Sequence, residues 1–179
     1  MGFEPNANLF NFLVKKYNAS KNIQLFQQGI SNEKTKLIFN ENIMDETSTF
    51  ESVNVTSKYL KKNQEYLGLN NVSQMIVNRY EVEVTSLADF FQENKINEVD
   101  VSKIDTEEHK YNCLLGLFQN KLQCKIDYIQ LESHNDDMYN RKTEKEIEEL
   151  LNQNNYLLDV RIRHGFGSLD ELIYKRIEV

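Results

Sequence analysis

Apolar residues along the middle of this 179-residue chain change their spacing repeatedly, from every second position to every third or fourth and back. The last two such segments are both of the two-residue kind. A helix between two strands carries the chain back across the sheet, so strands joined in this way lie parallel rather than antiparallel. The pattern therefore predicts a parallel α/β sheet with an antiparallel edge where two strands follow one another directly. Neither an internal repeat nor a linker-like stretch divides residues 1–179, and one domain commonly spans ~100–200 residues, so they read as a single domain.

Segment by segment, Pro5 suits the first turn of a helix on which Leu9, Phe10, Leu13, Val14 and Tyr17 fall at helical spacing. Residues 22–29 read as a strand, 31–34 as a turn and 35–39 as a second short strand. Residues 40–58, rich in Asn, Ser, Thr and Glu, read as a loop or a mobile cover, and 59–74 fit neither period. A strand over 75–84 leads to Ser86-x-x-Asp89, which opens a short helix with Leu87, Phe90 and Phe91 inward. A strand follows at 99–104, then a helix carrying Tyr111, Leu114, Leu115 and Phe118, then a strand over 125–131. Thr143-x-x-Glu146 is a capping box before a helix with Ile147, Leu150 and Leu151. Finally, 156–162 and 171–177 pair across Gly165 to Ser168 as an antiparallel hairpin.

Composition narrows the function. Lys and Arg number 21 against 28 Asp and Glu, a net charge of −7, which argues against binding nucleic-acid backbones. No apolar run reaches the ~18 residues of a spanning helix, so no membrane association is expected. Cys113 and Cys124 lack metal or redox spacing and read as reduced thiols, and the first residues lack a signal peptide's pattern, so a cytoplasmic location is expected.

Parallel α/β sheets bind ligands beyond the carboxyl ends of their strands. That rule directs attention to Glu4, to Gly29, Ile30 and Ser31, to residues 105–109, and to 132–134. Asp105, Glu107 and Glu108 crowd one strand–helix junction, where they can serve a cation, a general base or a helix dipole. Glu132 and His134 share a strand face, but His109, His134 and His164 are too dispersed for a zinc signature, and no metal site is assigned. Glu4 reads either as a solvated glutamate or as an acceptor of bonds from ribose hydroxyls. The chain has no GxSxG, no P-loop and no GxGxxG.

Taken in order, Phe3-Glu4-Pro5-Asn6, Lys103-Ile104-Asp105-Thr106-Glu107, Leu114-Leu115-Gly116 and Ile129-Gln130-Leu131-Glu132 resemble the FkbM-type S-adenosylmethionine-dependent methyltransferases. The resemblance covers nearly the whole chain, including Met138-Tyr139 and the closing hairpin. It implies a class I methyltransferase (Rossmann-like) sheet with an antiparallel C-terminal hairpin, S-adenosylmethionine as cofactor, and methyl transfer to a hydroxyl of a saccharide or small-molecule acceptor. It further implies that Glu4, with Pro5 and Asn6, holds the cofactor ribose and that Gly29, Ile30 and Ser31 lie near the adenine. Asp105 would stand near both methyl group and acceptor, with Glu107, His109, Glu132 and His134 as further catalytic candidates.

The chain departs from the family's K-I-D-x-E-G-x-E pattern in carrying Glu108 for Gly and Lys110 for Glu. The family's first strand and its glycine-rich turn have no counterpart in the sequence, so the expectation is an N-terminally incomplete methyltransferase whose isolated chain is inactive. Two other functions compete: a non-catalytic α/β binding or structural domain, and a metal-dependent hydrolase built on the carboxylates.

Overall fold

A computed structural model describes residues 1–44, 47–52, 54, 56–119, 124–134, 144–164 and 169–178, with the backbone alone at 59 and 134. The described elements are β1 (Gly2–Phe3), α1 (Ala7–Tyr17), β2 (Leu25–Phe26), β3 (Gly29–Ile30), β4 (Thr35–Asn42) and α2 (Lys58–Tyr66). A 3-10 turn at Val72–Met75 leads into β5 (Ile76–Thr85), α3 (Leu87–Glu93), β6 (Glu98–Ile104) and α4 (Lys110–Phe118). The chain ends with β7 (Lys125–His134), α5 (Glu144–Gln153), β8 (Tyr156–Arg163) and β9 (Leu169–Arg176).

This is a mixed α/β fold, but the described strands form three sheets instead of one: β1-β2, β3-β5-β4 and β6-β7-β9-β8. In the last, β6 runs parallel to β7, and β9 lies antiparallel between β7 and β8, as the alternation and the closing hairpin predict. Helix α5 is the crossover that returns the chain to the far edge, and the Leu150–Leu151 side of it packs on the core.

Residues 22–29 do not form one strand. They divide into β2, which pairs in parallel with β1, and β3, which starts at Gly29 and pairs in parallel with β5. The strand predicted to end at 39 continues to Asn42 and pairs antiparallel with β5 from Thr35↔Val84 to Asn42↔Ile76. So residues 40–42 are strand rather than loop, and Thr49 adds an isolated bridge to Asn40. Neither pairing is visible locally, because each partner lies far along the chain. Helix α2 and the 3-10 turn occupy 58–75, where the sequence pattern is ambiguous, and Leu60 and Met75 bury there as a small separate cluster. Pro5 stands before the helix cap rather than in the first turn: Asn6 Oδ1 accepts from the N–H groups of Asn8 and Leu9 at 2.9 and 3.2 Å. The expected cap at Ser86 is present, its Oγ accepting from Asp89 N–H at 3.0 Å. Thr143 and the predicted turn at 165–168 lie outside the described residues, as do Met138 and Tyr139.

The main core joins α3, α4, α5 and the four-stranded sheet, with Leu114, Leu117, Ile126, Ile129 and Leu151 wholly buried. Phe3 and Phe26 reach the same core through Phe90, whose ring meets theirs edge-on at 4.7 and 4.8 Å. Gly116 of α4 sits where a Cβ would come within 2.1 Å of the Ser31 carbonyl, so only glycine lets this helix approach the turn after β3. That approach sets the strand ends next to one another.

Candidate active site

Glu4, immediately after β1, and Asp105, immediately after β6, line one cavity of about 150 Å³. Pro5, Gly29, Ile30 and Glu107 line it too, together with Phe39, Thr49 and Phe50. Strand ends explain the convergence: β1, β3 and β6 all deliver their last residues to this point, and α1 begins beside it.

Glu4 is held in place by its neighbour, its Oε1 accepting from the Asn6 N–H at 2.8 Å. Asn6 itself is fully buried and is committed to capping α1, with its Nδ2 3.3 Å from Glu41 Oε1. Of the lining residues, Asp105 and Glu107 also meet Glu132, which does not itself line the cavity, and the three bring one carboxylate oxygen each within 4.8 Å of the others. Three negative charges so close oppose one another's ionisation. Burial pushes the Glu132 carboxyl up to about 8, and a hydrogen bond with Asp105 and the charges of Asp105 and Glu107 push the same way, with Lys103 opposing. Lys103 Nζ lies 3.1 Å from Asp105 and 4.0 Å from Glu171, and the hydrogen bond to Asp105 raises its own pKa. The trio can share one divalent cation or face one cationic group, and at neutral pH Glu132 holds a proton that either would displace.

Glu107 and Glu108 have φ of 44° and 73°, the left-handed region. Glycine adopts this conformation freely, and the related pattern has glycine at 108. Here Glu108 occupies it and turns its buried carboxylate to the Lys110 ammonium, 3.0 Å away and equally buried. Both departures from the pattern thus resolve into one ion pair.

His109 does not line the cavity. It is buried behind the wall, with Nδ1 2.7 Å from Glu51 Oε1 and Nε2 2.9 Å from Ser31 Oγ. Ser31 is also buried and bonds Asn32 at 3.1 Å, so this serine–histidine–carboxylate relay ties segments together with no exposed nucleophile. It fastens residues 47–52 over the site: Thr49 Oγ1 donates to the Glu107 carbonyl at 2.7 Å, and Phe50 lies 5.2 Å from the His109 ring. His134 ends β7, three residues from Leu131 on the same strand; its side chain lies outside the described set.

Of the stretch 40–58, residues 40–42 belong to β4, and only 48–50 line the cavity. Thr49, Phe50 and Glu51 are the ones that hold this stretch to the site, and their composition gave no signal beyond polarity. Lys103, which the sequence offers only as a letter of the K-I-D motif, pairs with Asp105 of the carboxylate cluster.

The methyltransferase FkbM domain family matches residues 1–158. No curated protein matches the chain, and no solved structure does. With the carboxylates of its strand ends gathered around one cavity and most of its length matched, the chain belongs to the FkbM methyltransferase domain family.

Proposed function

We propose that the cavity between Glu4 and Asp105 is the place of methyl transfer from S-adenosylmethionine to a hydroxyl of a saccharide or small-molecule acceptor. The observation that carries this reading is that Glu4 and Asp105, far apart in the chain, line the same cavity. The residues present suit the cofactor: a carboxylate at one strand end can accept from vicinal hydroxyls, and a cluster of acids opposite compensates a cation. When bound, S-adenosylmethionine supplies an electrophilic methyl group on a positively charged sulfur.

Glu4, oriented by the Asn6 N–H, accepts bonds from the ribose hydroxyls, and the Gly29–Ile30 strand end forms the neighbouring wall. Asp105 stands first as the group that orients or deprotonates the acceptor hydroxyl, since it lies at the strand end and is the most exposed of the three carboxylates. Glu132, protonated near neutrality, donates to Asp105 and keeps the pair at a single negative charge. Residues 47–52 exclude water from above, fastened by His109 and Glu51. Two free, buried thiols, with Cys113 pushed up to about 12 by burial, suit a reducing, cytoplasmic compartment.

Calorimetric titration with S-adenosylmethionine tests the reading directly. Saturable binding that Glu4→Ala weakens at least ~10-fold, about 1.4 kcal/mol, is the expected result. Absence of binding at millimolar cofactor overturns it for residues 1–179.

A further inference from the structure

A second cavity, of about 300 Å³, lies against the face of β4 that turns away from the candidate active site. Side chains alternate along a strand, and here Ile38, Asn40 and Asn42 line this cavity while Phe39 lines the other. Leu60 of α2 and Met75 of the 3-10 turn add the apolar cluster they form to its wall. Arg79 of β5, directly opposite Asn40 in the ladder, lines it too and is exposed. The volume is at the small end for a ligand cavity and suits a single substituted ring.

Asn40 and Asn42 are at 5% and 1% exposure, and the donor end of each amide is committed. Asn40 Nδ2 donates to the Glu51 carbonyl at 3.0 Å, and Asn42 Nδ2 donates to the carbonyl and the hydroxyl oxygen of Thr47. Those bonds fix which way both amides point, since a flip would set oxygen against carbonyl oxygen. What remains is a pair of acceptors, Asn40 Oδ1 and Asn42 Oδ1, both buried and neither with a donor among the described residues. Leaving a buried acceptor unpaired is costly, and folded proteins satisfy nearly all of them. Two such side chains, on one strand face and on the wall of one cavity, point to a ligand that brings the donors.

The lining also narrows the chemistry of that ligand. Hydroxyl and ammonium groups both donate. The Arg79 guanidinium has no carboxylate partner among the described residues; it disfavours an ammonium and suits a carboxylate. Leu60 and Met75, both buried, offer apolar surface to the C–H face of a ring.

We propose that this cavity binds a sugar acid. Its ring lies against Leu60 and Met75, two of its hydroxyls donate to Asn40 Oδ1 and Asn42 Oδ1, and its carboxylate pairs with Arg79. The site is distinct from the cavity between Glu4 and Asp105 and does not depend on which reaction the chain performs.

NMR titration of the whole chain tests it, with D-glucuronic and D-galacturonic acids as probes. Cyclohexanecarboxylate is one control, keeping ring and acid without hydroxyls, and D-glucosamine is the other, keeping hydroxyls but carrying a cation. The expected result is saturable movement of the Asn40 and Asn42 side-chain amide signals with at least one sugar acid, at an affinity ~10-fold or more above either control. Arg79→Gln, a change at an exposed position, should weaken that binding ~10-fold, whereas Glu4→Ala should leave it as it is. Four results overturn the proposal: no saturable shift with either sugar acid at millimolar concentration; equal binding of cyclohexanecarboxylate, which is apolar adsorption beside a charge; binding of D-glucosamine as tight as that of the acids, or unchanged in Arg79→Gln, which removes the carboxylate from the site; or loss of binding in Glu4→Ala, which puts the ligand in the other cavity.

Discussion

The four-stranded sheet and the β1-β2 pair are built from similar local signals and end in opposite conditions. Ile126, Ile129, Leu131, Leu172 and Tyr174 are all at 2% exposure or less. Helix α1 buries no residue fully, and it leaves Phe12 at 58% and Val14 at 41%. Yet α1 is well capped by Asn6, has Lys15 and Lys16 in its last turn where they complement the dipole, and is amphipathic by its residue spacing. Capping and patterning shape a helix, while what covers it decides how much it contributes, since most helical stability in proteins comes from packing. The sheet of four has both its own helices and a closed hairpin. The pair has only two residues in each strand and, beside it, a helix that buries no residue fully.

If stability resides on the α4 side of the molecule, the largest loss follows from breaking its buried ion pair. Lys110→Ala leaves the Glu108 carboxylate at 2% side-chain exposure without its cation, and about 3–5 kcal/mol of stability should disappear in chemical denaturation. Replacing both partners by apolar residues of similar size should cost much less, because no charge is stranded. Equal losses in the single and double variants would show that the pair is not the reason.

The next step contrasts the two regions directly. Leu131→Ala removes a side chain at 1% exposure from the centre of the sheet, and ~2–5 kcal/mol is expected; Phe12→Ala on α1 should stay within ~0.5 kcal/mol. Urea midpoints with unchanged slopes decide it. A Phe12→Ala loss comparable to that of Leu131→Ala would mean that α1 is covered in solution.

The same contrast explains what the sequence disclosed. The Ser86 cap, the helix of Leu114 and Phe118, the strand at 125–131 and the closing hairpin rest on neighbours in the chain, and all four are present. The β4-β5 pairing and the division of 22–29 depend on distant partners, which periodicity does not encode. In the site, rules for strand ends pointed to Glu4, Asp105, Glu107 and Glu132, because topology alone puts strand ends on one side. His109, a catalytic candidate by its place after β6, lies behind the cavity wall, and its partner Glu51 is 58 residues away in a stretch with no pattern.

The smallest effect expected concerns the carboxylate cluster that lies between the two regions. Glu132 has its pKa raised from the usual glutamate value to about 8, burial being the first cause. A raised carboxyl favours the folded state only while protonated, so the unfolded chain binds fewer protons than the native one between about pH 4.5 and 8. Stability should therefore fall as pH rises through that window, and it should be retained in full below it. Because the carboxyl is partly solvated, screening leaves a loss of about 1–2 kcal/mol. Glu132→Gln keeps the hydrogen bond and removes the proton exchange, so its denaturation midpoint should be nearly flat between pH 5 and 8 while the parent's declines. A divalent cation or a cationic ligand at the cluster should flatten the parent's curve as well, by taking over the charge that the proton balances. Parallel curves for parent and Glu132→Gln would show that the three carboxylates ionise independently, and the cluster would then be three surface acids with no shared proton for Asp105 to use.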